Sequence, residues 1–482
     1  MKNLLVICSF IFSTALFSQE QLGLRLENYA GINGVVLNPA SNLTNPLRID
    51  INLVSAGFFV ENNYLFIKNT NTSDLLKNGS GAEFYNLPDF TENDLPTDGY
   101  VTDYFDDSRK RQATVLTNVM GPSFAFKIGD QHSVGLFTAA RQMFSTQDIP
   151  NEFSYYKYDE IPLQEEFQVA PFVGTLMAWS EVGLNYAYKM PTADGSFGLG
   201  INVRFLQGYE GLYFKNDRTA GYTKEGGSLV DFDTPQISFG FTSSNLDYEE
   251  DFNLQKNGNG FATDIGAVWT YEGYDDGYIL KLSASLIDIG AIKFKQNAES
   301  HQVSVDNVVD VDGDVYNDLP EGQEVEAAVE IFSTQTLGNP TASLQSDNFT
   351  IALPAAFTLQ ADYAITPNVF INGTLVQRVP FGKVKSKRSN ILAATPRFEH
   401  RWLSASLPLI LYNWQDFRVG LNARLGYLII GTDNLGSWIG KSDYTGTDIY
   451  AGLKINFSEL NIGGNSSHGR KRRRNGKVKC YF

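Results

Sequence analysis

Apolar and polar residues alternate with a period of two along much of this chain. In residues 197–205 every odd position is apolar, whereas the even positions include Asn202 and Arg204. The same alternation recurs in residues 261–271 and 449–457. Successive side chains of a β-strand point to opposite faces, so this pattern predicts strands with one apolar and one polar face.

The connections between these strands alternate between tight turns and long excursions. Tight turns are predicted at 129–132, 191–196, 272–277, 366–368 and 413–416. Long excursions are predicted at 69–112, 146–173, 215–258, 296–350, 380–390 and 432–446. Counting from Arg48 gives twelve strands with both barrel ends on the tight-turn side, and another pair near residues 236–241 would raise the number to fourteen.

A soluble β-sandwich also alternates, but two features favour a membrane barrel. The predicted strands often exceed 13 residues, whereas soluble strands average about five or six. Their polar face carries Lys127, Lys281 and Arg418, which a sandwich core would reject. We therefore predict an all-β fold, a transmembrane antiparallel outer-membrane β-barrel of 12–14 strands in contact with outer-membrane lipid, with long extracellular loops and a closing strand that ends at Phe457.

The two ends of the chain differ from the strand region. Lys2 followed by an apolar stretch at residues 4–17 predicts a signal peptide over residues 1–18; a lipoprotein signal at Cys8 is the alternative. Residues 19–47 are then a plug or periplasmic segment, residues 48–457 the barrel, and residues 458–482 a periplasmic tail. Cleavage would leave Cys480 as the sole cysteine, which excludes an internal disulfide.

Charge is distributed unevenly. The net charge is −16, yet without Lys2 and the seven basic residues of the tail there are 30 basic against 54 acidic residues. The acid is concentrated in the long excursions. In the tail, the residues predicted to bind a periplasmic protein, peptidoglycan or anionic lipid are Arg470, Lys471, Arg472, Arg473 and Arg474. A solvated tail is the alternative, and nucleic acid is excluded because the periplasm contains none.

Several short segments resemble a known group of barrels. The hairpin at residues 264–269 and 282–290 and the Asn-Pro-Ala segment within residues 34–40 resemble FadL-like and PorV/PorP-like outer-membrane barrels. Residues 431–435 and 448–455 resemble an uncharacterised branch of the same group. The resemblance implies a bacterial outer-membrane protein whose N-terminal segment precedes or plugs the barrel. Members of this group include fatty-acid transporters and subunits of secretion and gliding machinery.

Little in the sequence points to catalysis. The four histidines are scattered, and no Gly-x-Ser-x-Gly nucleophile motif is present. Glu399 and His400 are adjacent, but neighbouring strand residues point to opposite faces, so they would not form a dyad. The sequence therefore predicts a protein that is not an enzyme.

One acidic loop has ligands at calcium-like spacing. Asp310, Asp312 and Asp314 are followed by Glu321, which falls on the twelfth position of a loop numbered from Asp310. Position six would require glycine but is Val315. Calcium binding and a solvated acidic loop are both kept as interpretations, and no other cofactor is predicted.

Other long excursions combine acid with aromatic residues. Tyr104, Phe105, Tyr155 and Tyr156 are the residues predicted to bind a partner protein, since interface cores favour tyrosine and phenylalanine. The alternative is that these loops fold over the barrel mouth and pack on each other. Residues 324–332 would add a short helix to such a cap.

The predicted lumen face carries both signs of charge, which favours a closed body over an open pore. These residues are Asp50, Arg204, Asp264, Lys281, Asp362, Arg378, Arg418, Arg424 and Lys454. We therefore expect an accessory or structural subunit of an outer-membrane complex, of the secretion, gliding or barrel-assembly type, with other envelope proteins as partners. The alternative is a FadL-like transporter of hydrophobic solutes, and both termini would be periplasmic.

Overall fold

The computed structural model describes residues 20–78, 81–87, 99–154, 160–244, 254–273, 277–320 and 324–457. Within these ranges fourteen antiparallel strands form a closed barrel. The first strand pairs with the last from Ile49 opposite Phe457 to Glu61 opposite Gly446. The all-β barrel fold and the closing strand predicted from the sequence are confirmed.

The described strands, in chain order, are β1 (Ile49–Asn62), β2 (Leu65–Thr70), β3 (Phe84–Asn86), β4 (Tyr100–Tyr104), β5 (Ala113–Met120), β6 (Ser123–Ile128), β7 (His132–Gln147), β8 (Glu166–Val169), β9 (Phe172–Thr192), β10 (Gly195–Asn216), β11 (Ala220–Gly226), β12 (Leu229–Asp233), β13 (Gln236–Thr242), β14 (Gly258–Glu272), β15 (Tyr278–Phe294), β16 (Ala298–Ser304), β17 (Val308–Asp312), β18 (Leu344–Ser346), β19 (Phe349–Ala352), β20 (Ala356–Thr366), β21 (Val369–Arg378), β22 (Ile391–Glu399), β23 (Leu403–Ser406), β24 (Leu409–Tyr412), β25 (Asp416–Val419), β26 (Leu421–Leu425), β27 (Leu428–Thr432), β28 (Ser442–Tyr444) and β29 (Gly446–Phe457). The helices are α1 (Leu22–Arg25), α2 (Thr72–Asn78), α3 (Glu324–Leu337) and α4 (Gly436–Ile439), and short 3-10 turns occur at Gly31–Val36, Ser41–Thr44, Asn151–Phe153 and Asp314–Tyr316.

Four barrel strands are interrupted and count as pairs of segments: β5 with β6, β19 with β20, β23 with β24, and β25 with β26. Pro122, Pro354 and Pro408 lie in three of these breaks, where a proline cannot donate to the ladder. The other barrel strands are β1, β7, β9, β10, β14, β15, β21, β22, β27 and β29.

The outer face of the barrel is apolar, as the alternation predicts. Leu199 and Val203 are 49% and 51% exposed and Phe261 is 69% exposed, whereas Asn202 and Arg204 between them point inward and are buried. An apolar outward face is stable only against lipid. In the part of the chain that the structure describes, no helix is long and apolar enough to span a membrane.

The barrel has fourteen strands, but the two strands beyond the twelve predicted do not come from the region near residues 236–241. The tight turn predicted at 413–416 is present between β24 and β25, but it lies at the opposite rim from the other predicted tight turns. Two further reversals at 400–402 and 426–427 split the expected strands. These turns are too short to interrupt the apolar alternation, which therefore could not mark them. The predicted strand near 236–241 exists as β13, but it extends the wall of β10 beyond the barrel proper.

The N-terminal residues 20–47 fill the barrel lumen, and we call this segment the plug. Wall side chains fix its backbone: Asn202 Nδ2 donates to the carbonyl of Val35 at 2.8 Å, and Asn185 Nδ2 donates to that of Pro39 at 2.9 Å. Close approach requires a glycine in the wall. A Cβ on Gly200 would lie 2.5 Å from the backbone nitrogen of Ala40. The Asn-Pro-Ala segment thus sits against the barrel wall.

Two small sheets lie on the long-loop side. One has the order β17-β12-β11-β8 and the other β28-β2-β4-β3. Helix α3 packs beside the first sheet, where Tyr316 Oη donates to Gln335 Oε1 at 3.1 Å. We call β8, β11, β12, β17 and α3 together the cap. The helix predicted at 324–332 is confirmed, and it extends to Leu337 because Gly338 adopts φ +76° there and ends it.

Candidate ligand-binding site

A cavity of about 720 Å³ lies between the cap and the long-loop end of the barrel wall. We call it the outer cavity. Its volume falls within the range of pockets that take small molecules, roughly 300 to 1,000 Å³. The lining includes Phe153, Val169, Phe172, Leu212, Tyr213, Phe214, Asn216, Phe232, Ile237, Phe239, Phe241, Val311, Tyr316, Glu324, Val325, Ala328, Val329 and Phe332.

Helix α3 provides one wall of the outer cavity. Val325, Ala328, Val329 and Phe332 recur at spacings of three, four and seven residues, so they share one helix face. All four are only half-buried, although this face points toward the protein. The cavity therefore leaves apolar helix surface without a packing partner.

The opposite wall comes from the upper ends of three strands. Phe172 of β9 packs on Phe214 of β10 with ring centroids 5.6 Å apart, and Phe153 contacts Phe172 edge-on at 6.0 Å. Phe239 of β13 meets Phe332 of α3 at 6.2 Å. These aromatic contacts fix a rigid apolar surface around the cavity.

The lumen contains a compact group of buried ions that we call the central charge cluster. Its members are Glu20, Arg25, Arg141, Glu181, Arg204, Asp264, Asp288 and Arg388, four acids and four bases. Arg204 contacts Asp264 at 2.6 Å, Asp288 at 2.9 Å and Glu181 at 3.1 Å. The free-energy cost of burying an ion is offset when it lies close to an ion of opposite charge, whereas a single buried ion has no such compensation.

Arg388 connects three parts of the molecule within this cluster. It belongs to the excursion between β21 and β22, which folds inward so that Ser386, Lys387 and Arg388 are buried. Its guanidinium contacts Glu20 of the plug at 2.6 Å and Asp288 of β15 at 2.8 Å. Plug, wall and inward loop therefore share one ion-pair network.

Three more ion groups secure the plug and the wall toward the tight-turn rim. Arg424 contacts Glu27 of the plug at 2.8 Å, Lys454 contacts Asp50 at 2.9 Å, and Lys281 contacts Asp362 at 3.3 Å, with Arg397 beside Asp362. Charges of both signs pair in the lumen, where the predicted positions that are buried are Asp50, Arg204, Asp264, Lys281, Asp362, Arg424 and Lys454. The predicted lumen residue Arg418 pairs with Glu61. A second cavity of about 650 Å³ lies at this rim and is lined by Asn28, Thr44, Lys127, Glu272, Tyr278 and Phe370 among others.

The plug and its ion pairs fill the lumen of the barrel. The sequence model of DUF5723, a family of unknown function, matches residues 39–433. The chain belongs to the DUF5723 family. The match begins at the Asn-Pro-Ala segment and runs through the barrel to the end of β27.

None of the curated proteins compared with this DUF5723 chain matches it. Among solved structures, the Pseudomonas putida toluene transporter TodX has a TM-score of 0.38 and 9% identity, over 92% of this chain and 98% of that one. A FadL homologue of Pseudomonas aeruginosa has a TM-score of 0.28 and 11% identity, over 87% and 92%. The Ralstonia pickettii toluene transporter TbuX has a TM-score of 0.28 and 9% identity, over 92% and 95%.

The residues predicted to bind calcium do not form a cluster in the DUF5723 barrel as described. Asp310 of β17 lies opposite Asp231, Asp312 Oδ1 accepts from the backbone of Asp314 at 3.0 Å, and Asp314 Oδ1 accepts from Ser228 Oγ at 2.7 Å. Glu321 lies outside the described residues. Among those described, no three acidic, histidine or cysteine side chains could hold a metal ion together. Calcium binding stays a prediction.

The aromatic residues predicted to bind a partner are partly buried within the loops. Tyr104 meets Tyr64 edge-on at 5.6 Å, and Phe105 packs on Phe66 at 4.8 Å. Arg111 Nη2 also donates to the carbonyl of Phe105 at 2.6 Å. The other predicted partner residues lie outside the described residues: Tyr155, Tyr156, Arg470, Lys471, Arg472, Arg473 and Arg474.

Sequence reasoning missed the outer cavity, although two signals for it were present. Residues 237–241 alternate apolar and polar within a long excursion, and α3 carries an apolar stripe over residues 325–332. Either signal alone indicates an amphipathic element. Which elements face each other across a gap depends on how the loops fold, so the cavity appears only in the structure.

Proposed function

We propose that this DUF5723 chain is an outer-membrane barrel that binds hydrophobic small molecules in its outer cavity and admits them to a plugged lumen. The carrying observation is the lining of the cavity, which is almost wholly aliphatic and aromatic within loops that are otherwise acidic. Exposing such a surface to water costs free energy, whereas an apolar ligand would cover it. The resemblance to FadL-like barrels implies the same class of solute.

The closed lumen supports selective binding over free diffusion. A general pore needs a continuous water path, but the plug and the central charge cluster fill the lumen. A solute in the outer cavity would enter only when the plug moves. Binding and passage are therefore separate steps, and each has its own test.

Binding is tested by filling the cavity. Ala328 lines it, and the adjacent Ala327 does not, because successive helix residues point about 100° apart. We expect Ala328→Trp to weaken binding of the fluorescent probe N-phenyl-1-naphthylamine about ten-fold or more in amphipol-solubilised protein. Ala327→Trp, the matched control, leaves binding unchanged. Equal binding by the wild type and both variants would refute the outer cavity as the site.

Passage is tested in cells that express the same three proteins. Uptake of radiolabelled naphthalene across the outer membrane should fall in the Ala328→Trp strain and stay at the wild-type rate in the Ala327→Trp strain. Immunoblots of outer-membrane fractions control for protein amount. If the uptake rate were the same in the Ala328→Trp strain as in the wild type, transport would be refuted. The protein would then bind the solute without transporting it.

The accessory-subunit interpretation stays a prediction. Tyr104 and Phe105 contribute part of their surface to contacts within their own loops, which weakens their use as partner anchors. Purification in a mild detergent, followed by mass spectrometry, would test it. Stoichiometric co-purification of another envelope protein would support a complex, and a monodisperse single chain would count against it.

A further inference from the structure

The buried lysines and arginines of this protein are paired with acids, with one exception. Among the residues that the structure describes, nine lysines and arginines are buried. Eight of them have a carboxylate oxygen within 3.7 Å: Arg25, Arg111, Arg204, Lys281, Arg388, Arg397, Arg424 and Lys454. The ninth is Lys387 of the inward loop, which forms no ion pair with any residue described. Burying an ammonium group without a counter-ion is costly, so its position requires an explanation.

Lys387 is held by neutral groups. Its Nζ donates to Gln112 Oε1, and its backbone nitrogen donates to Ser145 Oγ at 2.9 Å. A glutamine oxygen satisfies one of the three ammonium N–H groups but contributes no charge. The ammonium group is therefore hydrogen-bonded but not neutralised.

A second cation is held beside Lys387 in the same way. Arg378, at the end of β21, donates from Nη1 to Gln147 Oε1 at 3.3 Å and forms no ion pair with a described residue either. Gln147 and Ser145 are two positions apart on β7, so their side chains point to the same face of the strand. The contacts to these two residues place both cations at the long-loop end of the inner wall.

Positive charge exceeds negative charge at this position. The inward loop lies outside the membrane-spanning strands, and burial together with the charge of Arg378 lowers the pKa of Lys387 to about 8, against the influence of Asp148. Lys383 and Lys385 precede Lys387 in the same loop, and neither forms an ion pair with a described residue. The loop and Arg378 thus carry more positive charge than Asp148 offsets, although the chain as a whole is strongly negative.

The two cations can be reached from the long-loop side. Gln112, Gln147 and Arg378 are half-buried rather than buried, and 8% of the Lys387 surface is still exposed. Residues 380–383, where the inward loop begins, are exposed. An anion arriving from this side meets Arg378 and then Lys387, whose flexible stem can turn from Gln112 toward it.

We propose that Arg378 and Lys387 form a binding site for a phosphate group, which we call the mouth site. The proposal goes beyond the proposed function and does not depend on the outer cavity. Guanidinium and ammonium groups offer N–H donors alone, and phosphate oxygens accept from both. A bound phosphate would be the counter-ion that the other eight buried cations find within the protein. Inorganic phosphate and a lipid phosphate headgroup offer the same chemistry, and the experiment distinguishes these two sources.

Binding is measured by isothermal titration of the amphipol-solubilised full chain in phosphate-free buffer at constant ionic strength. The probes are inorganic phosphate and dihexanoyl phosphatidic acid below its micelle concentration. We expect Arg378→Gln and Lys387→Gln each to weaken phosphate binding about ten-fold, because each removes a charged donor. Lys127→Gln is the matched control and should leave the affinity unchanged. Lys127 Nζ also contacts neutral oxygens, the carbonyls of Leu43 and Asn45, but it lies at the tight-turn rim.

A second measurement does not depend on a loss of binding. In phosphate-free buffer, Lys387→Gln should unfold at a higher urea concentration than the wild type, because it removes a buried charge that has no counter-ion. Added phosphate should raise the urea midpoint of the wild type and leave that of Lys387→Gln unchanged, since a ligand stabilises the folded state that binds it. Phosphate bound by the basic tail is common to all these proteins, so the comparison cancels it.

Each outcome supports or overturns the mouth site. Equal phosphate affinity in the wild type and all three variants, or a lower urea midpoint for Lys387→Gln in phosphate-free buffer, would overturn it. Similar affinities for the two probes support a site for free phosphate. Binding of the lipid that is about ten-fold tighter, and that is lost in Lys387→Gln, supports a site for a lipid headgroup. Failure of N-phenyl-1-naphthylamine to bind would refute the proposed function and leave the mouth site standing.

Discussion

The central charge cluster and the outer cavity are built in opposite ways. In the cluster, four acids and four bases pair with one another and leave no excess charge. In the cavity, aromatic and aliphatic side chains face an open volume. The cluster is complete by itself, whereas the cavity is not.

The difference teaches how the two tasks of a plugged barrel are divided. The charge-assisted hydrogen bonds within these ion pairs depend on distance and angle, so they fix the plug in one position relative to the wall. Apolar contacts are non-directional, so the cavity can accept ligands of various shapes without rearranging charges. In the proposed function, strands and plug thus provide closure, and the loops provide ligand recognition.

The largest effect is expected where the charge balance is broken. Arg204→Leu removes a partner of Asp264, Glu181 and Asp288 and leaves buried negative charge. We expect a loss of about 3–5 kcal/mol in the free energy of unfolding, measured by urea titration of tryptophan fluorescence.

The control for this variant is Arg48→Leu. The Arg48 side chain is 59% exposed and meets Asp130 at 3.6 Å in water, so its removal should change stability by less than about 1 kcal/mol. If Arg204→Leu were equally harmless, the central charge cluster would not be what fixes the plug.

A smaller effect is expected where the plug touches the wall without charge. In Gly200→Ala the new Cβ meets the backbone between Pro39 and Ala40, which has to shift. We expect a loss of about 1–3 kcal/mol and faster amide hydrogen exchange in residues 31–40. Gly373→Ala is the control, since its Cβ would have no atom closer than 4.0 Å. Unchanged exchange in Gly200→Ala would show that the plug does not depend on this contact.

The smallest effect concerns a charge introduced beside the apolar cavity. His301 lies in β16, outside the membrane-spanning strands, and stacks on Phe239 and Phe241 with ring centroids 4.9 and 5.8 Å away. Burial lowers its pKa, against the opposing influence of Glu299. The pKa of His301 is lower in the folded state than in the unfolded state. The stability that neutral His301 contributes is therefore present at neutral pH. That stability declines as the pH falls through the unfolded value of about 6.5.

We therefore expect probe binding in the outer cavity to weaken a few-fold between about pH 7.5 and about pH 5. His301→Asn should abolish this dependence, since asparagine stays neutral while still able to bond to Ser343. Probe fluorescence at matched ionic strength is the measurement. A pH dependence that survives in His301→Asn would assign it to another group.

Much of the barrel could be predicted from the sequence. Alternation at residues 197–205 distinguishes the lipid face from the lumen face, because strand geometry allows one arrangement of alternate side chains. The turn at 413–416 was misplaced, since alternation reports the face of a residue and not the point where a strand reverses. Arg388 was missed for a similar reason: nothing local indicates that its loop folds into the lumen.

By itself, the sequence determined the closed barrel, its two faces and the mixed charges of its lumen, because these follow from local periodicity. Only the tertiary structure decided which charges meet and where a cavity remains. Arg204 pairs with acids from β9, β14 and β15, and Phe239 of β13 lines one cavity together with Phe332 of the cap. Such relations join residues far apart along the chain, and closure of the barrel together with packing of the loops brings them into contact.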